Sequence, residues 1–108
     1  MSGAEEVPLG TFEEQVMLAV LRTRDGAFGM AVRRELEEVT GREIAVGAVY
    51  ATLDRLESKR LVTSRRSPSD GSSRRLFAVT PLGAQALHET RVMRERLWRG
   101  VNLAPLLS

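Results

Sequence analysis

The chain has 108 residues, of which 43% are hydrophobic and 28% are charged, and these values are ordinary for one globular domain. It contains no cysteine, which excludes disulfides, thiolate metal sites and cysteine nucleophiles and fits a reducing compartment. No apolar run reaches the roughly 18 residues of a membrane span, and the acidic start is unlike a signal peptide, so we expect a cytoplasmic protein.

Charge is unevenly distributed along the chain, although the net charge is only +2. Residues 1–40 carry eight acidic and four basic side chains, whereas residues 55–75 carry seven basic and two acidic ones. A basic segment in an otherwise mild chain is expected of a protein that binds a polyanion. A solvated basic face is the alternative, and it is the commoner explanation of a charge cluster taken alone.

Two helices are predicted in the first 40 residues. The first begins at a capping box formed by Thr11 and Glu14, and most of its sides are apolar, so it is expected to be buried or shared with a partner. A break at "RDGAFG" ends it. The second helix runs from about 27 to 40 and is capped by Gly41.

The third helix, predicted from about 46 to 60, has an unusual outward face. Its apolar stripe consists of Val49, Leu53 and Leu56. The opposite face collects the smallest side chains with two charged ones: Gly47, Ala48, Ala51, Asp54, Arg55 and Ser58. Small side chains at the first turns of a helix allow it to approach another surface closely.

Two short strands and a long helix complete the chain. The segments "LVTSRRS" and "RRLFAVT" are rich in β-forming residues and flank a Ser/Gly-rich loop, so they predict a β-hairpin. Thr80 and Pro81 then supply the N-cap and first residue of a last helix that is predicted to run to about 102. Its apolar seam comprises Leu82, Ala86, Met93, Leu97 and Val101.

This order of elements is that of a winged helix-turn-helix, a mainly α fold with a small β-hairpin (α+β). In that fold the third helix enters the major groove of DNA and the hairpin forms a wing along the backbone. We divide the chain into an N-terminal tail (1–8), a winged helix-turn-helix DNA-binding domain (9–80), a C-terminal dimerisation helix (81–102) and a tail (103–108).

Three segments resemble the PadR family of bacterial transcriptional regulators: "LGTFEEQVMLAVL", "GMAVRRELEEVTGREIAVGAVYATLDRLESKRLV" and "SRRLFAVTPLGAQAL". The resemblance covers about 9–87, and the short remainder resembles the compact members with one terminal helix. The chain departs from the family pattern at Ala51, where proline is frequent, and at Arg60, where glycine is usual. Both departures alter surface near the expected DNA contacts, so a relative's operator sequence does not transfer.

The resemblance implies a homodimeric regulator, typically a repressor, that binds a pseudo-palindromic operator and in many relatives is released by a small aromatic effector. In such proteins the last helix packs against the partner subunit. The predicted dimer interface contains Leu82, Ala86, Met93, Leu97, Trp98 and Val101. Candidate effector-binding residues are Trp98, Met93 and Met17. Simple interface packing is the alternative role of Trp98, and it is the one that we favour.

The predicted DNA contacts come from the third helix and the wing: Gly47, Ala48, Tyr50, Ala51, Arg55, Arg65, Arg66, Ser72, Ser73, Arg74 and Arg75. The arginines would bind phosphates or base edges. Tyr50 flanks the apolar stripe, so a half-buried ring with its hydroxyl at the rim is an alternative to DNA contact. Strand alternation would turn only one arginine of each pair toward DNA, and Arg74 or Arg75 is favoured over Arg65.

No catalytic or metal site is predicted. His88 is the single histidine, and without cysteine it cannot assemble a transition-metal site. The chain has no phosphate-binding loop and no nucleophile motif, so we predict neither an enzyme nor a cofactor. Two other functions stay open: a winged-helix module whose basic wing binds an acidic protein surface, and a drug-binding sensor without a specific operator.

Overall fold

The computed structural model describes residues 9–67 and 74–107. In these residues the order of elements is α1 (Thr11–Thr23), a 3-10 turn (Arg24–Gly26), α2 (Gly29–Thr40), α3 (Val46–Ser58), β1 (Val62–Ser67), β2 (Arg74–Val79), α4 (Pro81–Trp98) and α5 (Ala104–Leu107). β1 and β2 pair antiparallel, from Val62 opposite Val79 to Ser67 opposite Arg74. The predicted fold class, three helices followed by a hairpin and a longer helix, is confirmed.

The core lies where α1, α2 and α3 meet the hairpin and the first half of α4. The stripe predicted for α3 is buried, because Val49, Leu53 and Leu56 have no exposed surface. The other elements contribute Val16, Met17, Val20, Val32, Leu36, Val62, Phe77 and Leu87. The opposite face of α3 does not contribute to this core and is exposed.

The start of α1 differs from the predicted capping box by one position. Gly10 is the N-cap, and its backbone N–H donates to Oε1 of Glu13 at 3.0 Å. The carboxylate at the third helical position thus belongs to Glu13. The Glu14 side chain instead forms an ion pair with Arg94 of α4. This pair joins the first and last long helices.

α2 begins two residues later than predicted, because the chain before it joins the hairpin. The carbonyl oxygen of Ala27 accepts a hydrogen bond from the N–H of Phe77 at 2.8 Å, and Phe28 forms an isolated antiparallel bridge with Leu76. This short extended segment lies along the free edge of β2. At the other end of α2, Gly41 has φ of +70° and is the predicted C-cap.

α3 ends at Ser58 because Arg60 adopts a left-handed backbone conformation, with φ of +65°. The N–H of Arg60 donates to the carbonyl of Glu57, and the N–H of Leu61 donates to that of Leu56. These two bonds form a Schellman motif, in which glycine is the preferred residue at the left-handed position. Glycine was expected here from the resemblance, and the left-handed conformation of Arg60 accounts for that expectation.

The last helix is shorter than predicted. α4 ends at Trp98, and Gly100 follows with φ of +81°. Val101 therefore lies outside the helix, and the seam predicted to continue to residue 102 is interrupted. The residues assigned to a C-terminal tail include the single turn α5, which starts just before Pro105, where proline is tolerated.

Candidate nucleic-acid interface

The turn between α2 and α3 is held by two side chains of α2. Arg33 donates through Nε to the carbonyl of Ile44 at 2.6 Å, and Oε2 of Glu37 accepts from the N–H of Ile44 at 2.9 Å. Arg33 and Glu37 also form an ion pair with each other. The backbone N–H and the carbonyl of Ile44 are thus both bound to α2, and these bonds fix the start of α3.

The outward face of α3 is as small and exposed as the sequence predicts. Its exposed residues include Gly47, Ala48, Tyr50, Ala51, Asp54 and Arg55. A Cβ added at Gly47 would meet no atom within 4 Å. The space directly outside Gly47 is therefore open in the described part of the chain.

Tyr50 lies at the border of this face. Tyr50 is 36% exposed, and its ring lies against Gly29, the first residue of α2. An ideal Cβ at Gly29 would be 2.2 Å from Cζ and 2.4 Å from Oη of Tyr50. The ring thus packs on backbone while its remaining surface faces solvent, so a packing role and an exposed contact are compatible.

Arg55 of α3 and Lys59, the C-cap residue of that helix, share one carboxylate from α1. Oε2 of Glu13 lies 2.8 Å from Nζ of Lys59 and 3.4 Å from Nε of Arg55, and Arg55 also donates to the hydroxyl of Thr52. Burial alone would raise the pKa of Glu13. The hydrogen bonds from Lys59 and Gly10, together with the charges of Lys59, outweigh burial and hold that pKa below its ordinary value.

The lowered pKa of Glu13 predicts a specific pH dependence of stability. Because the folded-state pKa lies below the unfolded value of 4.5, the carboxylate stabilises the fold above that value and stops doing so as the pH falls through the folded-state pKa. Glu13→Gln should cost about 1–2 kcal/mol of unfolding free energy at pH 7. The difference from wild type should shrink below about pH 4.

Urea denaturation at pH 7 and at pH 3.5 measures this difference. The control is Glu38→Gln, which changes an exposed carboxylate of α2. A Glu13→Gln penalty that is the same at both pH values would show that the ion pairs of Glu13 do not stabilise the fold.

The register of the hairpin sorts the four wing arginines onto two faces. Arg66 is opposite Arg75, and these two share the face of Val62 and Phe77, which points to the core. Arg65 is opposite Leu76 and shares the other face with Arg74. One arginine of each pair therefore lies on each face of the hairpin. Ser72 and Ser73, also predicted to contact DNA, lie outside the described residues.

Arg74 is exposed and stacked on an aromatic ring. Its guanidinium carbon lies 4.4 Å from the centroid of the Phe28 ring, and that of Arg34 lies 5.9 Å from the same centroid. A guanidinium stacked on a ring retains its in-plane N–H donors. The Phe28 ring thus orients the Arg74 guanidinium without using its N–H donors. Phe28 was not identified from the sequence as part of this surface.

Arg75 is directed toward α3. Its Nη2 lies 2.6 Å from Oε1 of Glu57, and its Nη1 lies 3.2 Å from Oδ1 of Asp54. Oε2 of Glu57 accepts a hydrogen bond from the hydroxyl of Ser64 at 2.7 Å. Glu57 had no role predicted from the sequence, although Asp54 and Glu57 are three residues apart and therefore adjacent on the helix.

The apolar seam predicted for the dimer is largely exposed in the single chain. Leu82, Met93, Leu97, Trp98 and Val101 are exposed, Ala86 is half-buried, and α4 faces the core with Gly83, Leu87 and Thr90.

Met17, by contrast, has no exposed surface and is part of the core, so an effector cannot reach it without opening the domain. The expectation that Met17 binds an effector is corrected accordingly. Trp98 and Met93 are accessible.

Across residues 9–67 and 74–107, no cluster of three or more histidine, acidic or cysteine side chains is arranged to hold a metal ion. In the same ranges, no helix has the length and apolar character needed to cross a membrane.

Comparison with known proteins identifies the fold and the family together. The model of a family described as "Transcriptional regulator PadR-like family" matches residues 17–89, a range that includes α2, α3, the wing and half of α4. The chain belongs to the PadR family. This family consists of transcriptional regulators rather than enzymes, in agreement with the prediction that the chain is not an enzyme. The chain spans 57% and 20% of the lengths of the two curated relatives that it matches.

Relatives of known sequence or structure agree with this assignment. "Transcriptional regulator Rv3488" of Mycobacterium tuberculosis is 41% identical over 61 residues, and the match spans 56% of this chain and 57% of that protein. A PadR-family regulator from Eggerthella lenta is 28% identical with a TM-score of 0.68, over 86% of this chain and 80% of that one. A PadR-like transcription factor from Bacteroides fragilis has a TM-score of 0.72 at 23% identity, over 89% and 88%.

Proposed function

We propose that this PadR-family protein binds a specific operator as a homodimer and represses the promoter that contains it. The observation that carries the proposal is one surface, in which the small exposed face of α3 is joined to the wing through the ion pair of Asp54 and Arg75. On this surface, α3 would read base edges and the wing would bind the backbone.

The charges of this surface support a phosphate ligand. Arg74 is held by Phe28 and Arg65 shares its face, so two guanidinium groups lie on one side of the hairpin. Among the described residues, no carboxylate forms an ion pair with Arg74 or Arg65. Each phosphate that they neutralise would add about −0.9 to the slope of log K against log salt.

Dimerisation through α4 is supported by shape and by apolar exposure. The radius of gyration is 16.0 Å, whereas a compact chain of this length has about 13 Å. Leu97 is 69% exposed and Trp98 is 56% exposed, near the end of a helix whose second half makes little contact with its own core. A single chain rarely leaves such a seam in water, and a second copy would cover it.

Binding to DNA upstream of the protein's own gene tests the function. Fragments would be titrated at several salt concentrations with non-specific duplex as competitor. Arg74→Ala should weaken binding and lower the salt slope by about 0.9. Arg91→Ala removes the same charge from α4, where Arg91 pairs with Glu95, and should leave both quantities unchanged.

Tight binding that survives competitor would support an operator, and a promoter reporter would then show repression. Binding that collapses equally on every sequence would contradict operator binding and favour the basic wing as a protein-binding surface. Sedimentation velocity at micromolar concentration should give twice the mass of the 12.0 kDa chain. A monomer would contradict the dimer.

Release by a small aromatic effector would act through the same seam. The exposed Trp98 ring is the aromatic group that a planar molecule could stack on there. Quenching of Trp98 fluorescence by planar aromatics, together with loss of operator binding, would support release. Quenching without any effect on DNA binding would leave Trp98 as an interface residue.

A further inference from the structure

In the described part of the chain, α3 is joined to the wing by a group of side chains that we call the wing clasp: Asp54, Glu57, Ser64 and Arg75. Glu57 accepts from the Ser64 hydroxyl of β1 through one carboxylate oxygen and from Arg75 of β2 through the other, at 2.7 and 2.6 Å. A single carboxylate of α3 therefore binds both strands of the hairpin. Arg75 also reaches Asp54, one helical turn earlier.

The position of Arg75 is restrained on several sides. Its guanidinium bridges two carboxylates of α3, and its guanidinium carbon lies 4.9 Å from the centroid of the Phe77 ring, which is in the core. The side chain of Arg75 is only 31% exposed, and that of Glu57 is 34% exposed. These restraints fix the guanidinium against α3.

The local charge of the clasp is unsuited to binding phosphate. One guanidinium faces two carboxylates, so Arg75, Asp54 and Glu57 together carry a net charge of −1, and the further positive charge on this face belongs to Arg66, opposite Arg75. A phosphate that approached Arg75 would also approach both carboxylates and would be repelled by them. Arg74, on the opposite face, is stacked on Phe28 and has no such neighbour among the described residues.

The outer half of the wing needs an attachment of this kind. Its buried side chains, Val62 and Phe77, lie on the inner half of the hairpin. A two-stranded hairpin is marginally stable in water without packing support. The clasp attaches Arg75, in the outer half of β2, and Ser64, opposite Phe77 in β1, to α3. It thereby relates the wing arginines to the helix that would read the bases.

We propose that Arg75 is a positioning residue: with Glu57 it sets the wing against α3, and Arg74 and Arg65 make the phosphate contacts. This inference rests on the proposed DNA-binding function and revises the expectation that Arg75 itself contacts DNA. It predicts the direction in which the affinity for DNA changes when Glu57 loses its charge. Removing the negative charge of Glu57 should weaken DNA binding, although electrostatic attraction to DNA alone would then increase.

The test measures the affinity of the full chain for one duplex in wild type, Glu57→Gln, Arg75→Gln and the double variant. Each single variant should weaken binding about tenfold, and the double variant should be no weaker than either single one. Arg75→Gln should keep the wild-type salt slope. The control Glu38→Gln removes a negative charge from exposed α2 and should not weaken binding.

Two results would overturn the proposal and make Arg75 a phosphate contact. In them, Glu57→Gln binds DNA at least as tightly as wild type, and Arg75→Gln has a lower salt slope than wild type. Circular dichroism and a thermal melt confirm that each variant is folded. Glu57→Asp is the second variant, because it keeps the charge but withdraws the carboxylate by one methylene, and it should also weaken binding.

A readout without DNA separates this proposal from the proposed function. Amide hydrogen exchange in the outer residues of β1 and β2 should accelerate at least fivefold in Glu57→Gln, while amides of the α3 core keep their protection. Unchanged exchange in the hairpin would overturn the clasp even if no operator were found. Failure of the wild-type chain to bind any duplex specifically would count against the proposed function alone.

Discussion

Gly83→Ala is expected to destabilise the folded chain by about 3 kcal/mol, the upper end of what overpacking usually costs. Gly83 is buried in the first turn of α4, and a Cβ there would lie 2.0 Å from the carbonyl oxygen of Leu61 and 2.9 Å from Cγ1 of Val79. The obstructing oxygen belongs to backbone, and it accepts a hydrogen bond from the N–H of Thr80 at 3.1 Å. It cannot withdraw without breaking that bond.

The thermal midpoint of Gly83→Ala should fall by roughly 12–24 °C, since 1 kcal/mol shifts a domain of this size by about 4–8 °C. Gly26→Ala is the matched control, because Gly26 is exposed and a Cβ there meets nothing within 4 Å. Both would be melted at one protein concentration, since a dimer's midpoint depends on it. A midpoint for Gly83→Ala within 2–3 °C of wild type would contradict the close approach of α4 to Leu61.

The elements that the sequence predicted well are those with a local physical signature. The stripe of Val49, Leu53 and Leu56 repeats at helical spacing over two turns, and all three side chains are buried. Thr80 caps α4 by accepting a hydrogen bond from the N–H of Gly83 at 3.0 Å, as the Thr-Pro pair indicates. Gly41 ends α2 because glycine readily adopts the left-handed conformation of a helix C-cap.

The features that the sequence did not predict depend on contacts between distant residues. Glu13 binds Lys59, which is 46 positions away, and no spacing rule relates the two. The extended pair Ala27 and Phe28 is too short for an alternating pattern, and it becomes strand-like only because β2 lies beside it. A sequence also cannot say which arginine of the wing faces α3, because that depends on strand register.

Gly29→Ala is expected to disturb the outward face of α3, although Gly29 itself belongs to α2. An added Cβ would lie 2.2–2.4 Å from the Tyr50 ring, so the ring must rotate out or α2 must move away from α3. We expect a loss of about 1–2 kcal/mol in unfolding free energy. If Tyr50 contacts DNA, the variant should also weaken operator binding as much as Tyr50→Ala does.

A double-mutant cycle isolates the cause. In a Tyr50→Ala background the clash is absent, so Gly29→Ala should no longer destabilise the fold. Gly47→Ala is the matched control in α3, because its Cβ enters open space; it should change the unfolding free energy by no more than about 0.5 kcal/mol and yet weaken DNA binding by obstructing close approach. Equal destabilisation by Gly29→Ala with and without Tyr50 would show that something other than the ring occupies that space.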